Sequence, residues 1–433
     1  MRSRFLADLQ ARELLAGATS VEDLDAHLAD GERTMYVGFD PTADSLHVGS
    51  LLPLLALRRA QLAGHRPIVL VGGGTGLIGD PAGKAGERQL NPREQVAAWA
   101  ERLKAQVRPF LDFEPGPHAA IVVDNYEWLA PLDVITFLRD VGKHFGVGAM
   151  IARESVRARM GRADAGISYT EFSYQVLQAF DFLELERRYG CTVQLGGSDQ
   201  WGNITAGTEL IRRVRGVTAF GITLPLVTRT DGSKFGKTET GTVWLDAART
   251  SPYEMYQFWL NTADADVVRF LRYFTFLGLD EIEDLARRTA AAPEAREAQR
   301  RLARDVTSLV HGPAAVAEAE RITEALFSGD VARLSEAQLE AAFHGAPRTR
   351  ISRRDLGALP VAELLVRTGL AESRRAAREL LSAGAVHLNG RRVAGASTQV
   401  SSQDLLFGRY LALRKGKKSY HLVTLAEEDG DRA

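Results

Sequence analysis

Lys234 and Lys237 stand three residues apart in a polar stretch, Thr230-Asp231-Gly232-Ser233-Lys234-Phe235-Gly236-Lys237-Thr238, that breaks the surrounding pattern. Two ammonium groups at that spacing can close over a polyphosphate, and the bland alternative is solvated charge. Gly236-Lys237-Thr238 invites a P-loop reading. However, Gly232 precedes Gly236 by four residues where that motif needs five, and no helix is expected to follow.

Thr42 and His47 lie in a second polar loop, after the apolar run 35–39 and before leucines at helical spacing from Leu51. Strand, loop and helix start place phosphates against helix-end amides, and both side chains can bond phosphate oxygens. Gly38 and Gly49 lack a Cβ, so a flat base or a ribose can lie against the backbone there. Taken alone, this is a βα turn with an incidental histidine.

Tyr174, Gln178 and Asp181 fall at i, i+4 and i+7 of a helix opened by the capping-box pattern Ser168-Tyr169-Thr170-Glu171. Three hydrogen-bonding side chains in line suggest a pocket wall. A core helix with satisfied polar groups is the commoner case. Gly74, Gly76 and Gly79 follow a strand at dinucleotide-fingerprint spacing, but Asp80-Pro81 interrupts the helix that fingerprint needs. They are read instead as a glycine-rich loop approaching a small ligand.

The elements that must position these residues alternate. Strands are expected at 35–39, 67–71, 119–123, 192–195 and 222–227, with helices between, which argues for a doubly wound parallel sheet. The strand at 192–195 runs into Gly196-Gly197-Ser198-Asp199-Gln200-Trp201-Gly202-Asn203, at the edge where such sheets bind ligands. Residues 1–33 read as helical, 91–113 as a helix, 142–166 as a mobile segment rich in Gly and Arg, and 252–345 as a helical bundle. Near the C-terminus Ser373 caps a helix, and Asn389-Gly390 turns a hairpin.

The single cysteine, Cys191, rules out internal disulfides and cysteine zinc sites and suits a reducing cytoplasm. No apolar run is long enough to span a bilayer, and the N-terminus is no secretory signal. The net charge of −1 hides an asymmetry: residues 346–425 hold 15 basic and 5 acidic side chains, against 39 and 50 elsewhere. A basic C-terminal module on an acidic body suggests a polyanion partner.

Residues 36–50, with His47-Val48-Gly49-Ser50, resemble the His-x-Gly-His signature of class I aminoacyl-tRNA synthetases, and Lys234-Phe235-Gly236-Lys237-Thr238 resembles their second, lysine signature. Gly38-Phe39-Asp40-Pro41-Thr42, residues 75–81, Glu171-Phe172-Ser173-Tyr174, residues 196–203 and Ser251-Pro252-Tyr253 are similar to the bacterial tyrosyl-tRNA synthetases, in the same order along nearly the whole chain. Ser50 departs from the usual final histidine, so a weaker contact with activity retained is expected there.

The resemblance implies a Rossmann-like catalytic domain over 1–228 with a dimerisation insert at about 125–170. After it come a lysine loop (229–250), a helical domain (251–346), a linker (347–360), a basic RNA-binding module (361–425) and a tail (426–433). Tyr36 and Asp181 would hold the substrate phenol, and Asp80, Tyr174, Gln178 and Gln200 the rest of the tyrosine. Gly38, Asp40, Gly49, Ser50, Gly197, Asp199, Leu226, Val227 and Lys237 would meet ATP or the adenylate. Thr42, His47, Lys84, Arg88, Lys234, Lys237 and Thr238 would stabilise the departing pyrophosphate. Arg374, Arg375, Arg378, Arg391 and Arg392 would bind tRNA(Tyr). The implied enzyme is a cytoplasmic homodimer using L-tyrosine, ATP with its Mg²⁺ and tRNA, with no tightly bound metal and neither membrane nor DNA as partner. Tryptophan as substrate, a small-molecule adenylyltransferase and a non-catalytic RNA-binding protein are the competing readings. Asp181 opposite Tyr36 suits a phenol better than an indole, and the basic module and intact lysines disfavour the other two.

Overall fold

The computed structural model describes residues 1–81, 90–152, 156–157, 160, 166–230, 235–238, 241–344, 346–393, 395, 397–416 and 419–426. The chain forms two compact units, residues 1–249 with 260–306, and residues 250–259 with 307–433.

The first unit is built on a six-stranded sheet of order β1-β6-β5-β2-β3-β4. Its strands are β1 (Gly17–Ala18), β2 (Thr34–Phe39), β3 (Arg66–Val71), β4 (Ile121–Asp124), β5 (Cys191–Gly197) and β6 (Phe220–Leu224). All pairs are parallel except β1 with β6. The strands are nearly continuous apolar runs because helices cover both faces. From β2 the chain winds outward to β3 and β4 on one side and later to β5 and β6 on the other. The switch point between β2 and β5 therefore opens a crevice at the carboxyl edge.

The helices that frame it are α3 (Val48–Leu62), α4 (Arg93–Gln106), α5 (Tyr169–Tyr189) and α6 (Trp201–Arg215). Helix α5 starts where the Ser168 hydroxyl accepts from the Glu171 N–H and stops at Gly190, whose φ of 61° is left-handed. Its inner face packs Phe180, Phe182, Leu183 and Leu185 into the core shared with Tyr36, Ile68 and Leu70.

The N-terminal region departs from the single helical stretch expected. It forms α1 (Arg4–Ala11) and α2 (Val21–Ala29) separated by β1, which pairs Gly17 with Thr223. Two residues are too few to show a strand period. Strand β6 ends at Leu224, earlier than expected, because Pro225 follows. Beyond it, Lys237–Thr238 (β7) and Gly241–Thr242 (β8) pair as a small hairpin.

The second unit carries a five-stranded sheet of order β11-β10-β12-β13-β9, formed by β9 (Arg348–Ile351), β10 (Val386–Leu388), β11 (Arg391–Arg392), β12 (Tyr410–Lys415) and β13 (Ser419–Leu425). Alternate residues face opposite ways. Leu411, Leu413 and Val423 pack with Leu364, Leu365 and Leu381, whereas Tyr410, Ala412 and Leu422 pack with Ile322, Leu339 and Phe343. The stretch 347–360, expected as a linker, contributes β9, which pairs in parallel with β13. Its basic residues disguised a strand: Arg348 and Arg350 are exposed while Ile351 points inward. The Asn389-Gly390 turn is as expected, with φ of 48° and 83° at its two residues. The expected polar tail, 427–433 in particular, lies outside the described residues. No helix among those described is long and apolar enough to cross a membrane.

Candidate active site

The carboxyl edge of the first unit's sheet opens into a cleft of about 820 Å³. Sixteen of the residues singled out above line it: Tyr36, Gly38, Asp40, Thr42, His47, Gly49, Ser50, Asp80, Tyr174, Gln178, Asp181, Gly197, Asp199, Gln200, Leu226 and Val227. Lys84, Arg88 and Lys234 lie outside the described residues, and Lys237 and Thr238 are described only as backbone of β7. The five arginines 374, 375, 378, 391 and 392 belong to the second unit. There Arg374 pairs with Glu363, Arg375 pairs with Glu379, and Arg392 lies against Gly384.

One end of the cleft is closed by Tyr36 and Asp181, both about 1 % exposed. Asp181 accepts from the Trp128 indole N–H at 2.7 Å and from the Asn125 amide at 2.9 Å. Burial pushes its carboxyl up to about 8, and the two donated hydrogen bonds oppose that rise. Burial and then the Asp181 charge hold the Tyr36 phenol well above its ordinary range, so it stays a proton donor. Among the described residues the Tyr36 hydroxyl has no partner. A buried donor without a partner beside a buried acceptor with room for one more is the complement of a hydroxyl group.

Further along, the Tyr174 hydroxyl donates to Asp40 at 2.7 Å, and Thr75 donates to the other Asp40 oxygen at 2.7 Å. Gln200 donates to Asp80 at 2.7 Å, and Gln178 donates to the Gln200 carbonyl at 3.3 Å. Each of these bonds uses up a donor and leaves an acceptor. The Tyr174 oxygen, the Gln178 carbonyl and the Asp80 carboxylate are three acceptors on the cleft wall, which suits a cationic donor such as an ammonium group.

At the start of α3 the His47 side chain caps the helix, its Nδ1 accepting from the Gly49 N–H at 3.0 Å. The imidazole therefore fills the space over Gly49: a Cβ there would come within 2.8 Å of the ring. Gly38 differs, since a Cβ on it would meet only Leu70, at 3.5 Å, and its exposed backbone is open to a flat ligand. Gly197 admits the Asp199 carboxylate, which a Cβ would approach to 2.6 Å.

The glycine-rich loop after β3 reaches the cleft through Thr75 and Asp80. Its first two glycines make room for protein carboxylates, whereas Gly74 lies against Leu129 and Gly76 against Pro41. A Cβ on Gly72 would lie 2.1 Å from Asp40 Oδ1, and one on Gly73 would lie 2.3 Å from Asp124 Oδ1. The loop is a cradle that fixes Asp40.

Sequence reasoning missed Thr75, Asn125, Trp128 and Gln194. Asn125 bonds both Thr75, at 2.8 Å, and Asp181, and Gln194 sits beside Tyr36 in the sheet register with its carbonyl oxygen unpartnered. All but Trp128 lie at or just beyond a strand's carboxyl half, the signal that could have found them.

The family model for tRNA synthetases class I (W and Y) matches residues 29–328, and that for the tyrosine–tRNA ligase SYY-like C-terminal domain matches residues 338–423. A tyrosine–tRNA ligase of Geobacillus kaustophilus is 54% identical over 422 residues, covering 97% of this chain and 99% of that protein. One of Desulfitobacterium hafniense is 52% identical over 423 residues, with 97% and 99% covered. Among solved structures, a C-terminally truncated mitochondrial tyrosyl-tRNA synthetase of Aspergillus nidulans superposes with a TM-score of 0.67. It is 29% identical and covers 75% of this chain and 94% of its own.

Proposed function

The chain belongs to the class I tRNA synthetases of the tryptophan and tyrosine group, and from that premise we propose that it is a tyrosine–tRNA ligase. It joins L-tyrosine to ATP as tyrosyl-adenylate, then passes tyrosine to the terminal adenosine of tRNA(Tyr). The observation that carries the substrate is the unpartnered Tyr36 hydroxyl beside Asp181. A phenol accepts from Tyr36 and donates to Asp181, satisfying both. An indole N–H serves Asp181 and leaves Tyr36 unpaired, and phenylalanine serves neither.

The ammonium group of tyrosine meets Asp80, Tyr174 and Gln178, and its carboxylate then lies toward Asp40 and His47. A carboxylate oxygen attacks the α-phosphorus of ATP, the bond to the β-phosphate bridge breaks, and pyrophosphate carries the charge away. No side-chain nucleophile is required. Catalysis is positioning together with donors aimed at developing charge, each worth about 3 kcal/mol. His47 and Thr42 supply such donors, as do Lys84, Arg88, Lys234, Lys237 and Thr238. Asp199 takes the ribose hydroxyls, while Leu226 and Val227 lie on the adenine. Mg²⁺ is part of the substrate, entering on the ATP phosphates.

The second unit's arginines are the tRNA contacts in this reading, and the cytoplasm is its compartment. Val134, Ile135, Leu138, Val147 and Tyr169 are all exposed. So many exposed apolar side chains within one stretch of the chain support a homodimer interface. Amino-acid-dependent ATP–pyrophosphate exchange with tyrosine, tryptophan and phenylalanine tests the function. Exchange with tyrosine alone is expected, and faster exchange with tryptophan would overturn the substrate.

A further inference from the structure

The segment after β8 is bound to the first signature by a short ladder. The Val48 N–H donates to Val243 O at 3.0 Å, and the Leu245 N–H donates to Leu46 O at 2.8 Å. That ladder places Trp244 opposite His47, with the two rings edge to face at 6.3 Å between centroids and 65° between planes. On Trp244 the Arg249 guanidinium lies 3.6 Å from the ring centroid, close enough for a cation–π contact. Arg249 is itself held by Asp44, whose other oxygen binds Arg102 at 2.8 Å. The indole is thus fixed by its backbone, by an arginine and by the carboxylate behind that arginine.

His47 needs such a fixture. It is exposed, and Nδ1 accepts from Gly49, so the neutral ring carries its proton on Nε2, the nitrogen that can donate to a phosphate. That hydrogen bond fixes the tautomer, and a donor must also point at the developing charge beforehand to be effective.

We propose that Trp244, clamped by Arg249 and Asp44, is a positioning residue that holds the His47 imidazole in line with the departing pyrophosphate. The proposal rests on the reading of His47 as a polyphosphate contact. Neither Trp244 nor Arg249 need touch the substrate for it to hold.

The test is a double-mutant cycle on the full-length enzyme, reading the single-turnover rate of tyrosyl-adenylate formation and, separately, tyrosine affinity. Trp244→Ala is expected to slow adenylate formation by about tenfold with tyrosine affinity unchanged. Trp244→Phe should restore most of the rate. Arg249→Met, which keeps the indole and the fold, should give a smaller loss of the same kind. In a His47→Ala background Trp244→Ala should cost almost nothing more. Full additivity of the two substitutions would overturn the proposal, because Trp244 would then act without His47. Parallel loss of tyrosine affinity in both Trp244→Ala and Arg249→Met would overturn it as well, pointing to a merely structural role. A His47→Ala enzyme as fast as the parent would instead overturn the reading of His47, and the proposal with it.

Discussion

The Tyr174 hydroxyl donates to the Asp40 carboxylate across 2.7 Å, and that bond decides what each residue offers the cleft. Tyr174 presents its oxygen as an acceptor, and Thr75 donates to the other oxygen of Asp40. One strand-end carboxylate thereby sets the polarity of a helix residue far away in sequence.

Tyr174→Phe is expected to weaken tyrosine binding by roughly 10- to 150-fold, since removal of one hydrogen bond to a charged group costs about 1.5–3 kcal/mol. Fluorescence titration with tyrosine reads the effect. Unchanged affinity would remove Tyr174 from the ammonium site.

Gly72→Ala tests the cradle around Asp40. The added Cβ would sit 2.1 Å from a carboxylate oxygen that is already bonded to Thr75, so Asp40 must move. A stability loss of about 1–3 kcal/mol is expected, together with slower adenylate formation. A variant as fast as the parent in single-turnover measurements would show that Asp40 needs no fixed position.

Asp181 predicts a pH dependence. Its native value of about 8 lies above the ordinary 3.8. The folded state therefore binds the proton more tightly than the unfolded chain does. The stability from this group is fully present below the ordinary value and is lost as pH rises through the native one. Across that window thermal melts of the parent should fall relative to Asp181→Asn, whose amide does not titrate. A phenol donating to the carboxylate favours its ionised form, so tyrosine binding near neutral pH should also release a proton, visible as buffer-dependent calorimetric heat. Parallel melting curves for the two proteins would contradict the assignment.

Arg378 and Arg391 are exposed on the helix and hairpin of the second unit. Replacing both with alanine should weaken tRNA binding and flatten its salt dependence, because each phosphate contact releases counterions. Tyrosyl-adenylate formation should stay unchanged. Filter binding over a salt series checks this, and an unaltered slope would exclude these two arginines from the contact.

The cleft residues were legible in the sequence where chemistry and chain punctuation coincide. Asp40-Pro41, Asp80-Pro81 and Gly196-Gly197 mark strand or loop ends, and each contributes to the site. Asn125 and Trp128 were not legible, because their value depends on β4 lying beside β3, which brings Asn125 within reach of both Thr75 and Asp181. The glycines after β3 were legible as close-approach positions but not as to what approaches. Strand β9 was hidden by arginines on its exposed face, although its alternation with Thr349 and Ile351 was present all along. It matters for dissection: Tyr410 and Leu422 share a core with Leu339 and Phe343, so a cut at residue 347 would divide packed partners.

On the proposed function, Tyr36 and Asp181 together recognise the substrate phenol. A site built to bond a substrate hydroxyl rejects the analogue lacking it because its own buried groups are left unpaired, a principle for which tyrosine-specific synthetases are the standard illustration. The most direct measurement is ATP–pyrophosphate exchange by the parent and by Tyr36→Phe, with tyrosine and phenylalanine each compared as kcat/KM. The parent should strongly prefer tyrosine, and Tyr36→Phe should narrow that preference while leaving exchange with phenylalanine equal or faster. A preference identical in the two enzymes would show that the Tyr36 hydroxyl does not read the phenol.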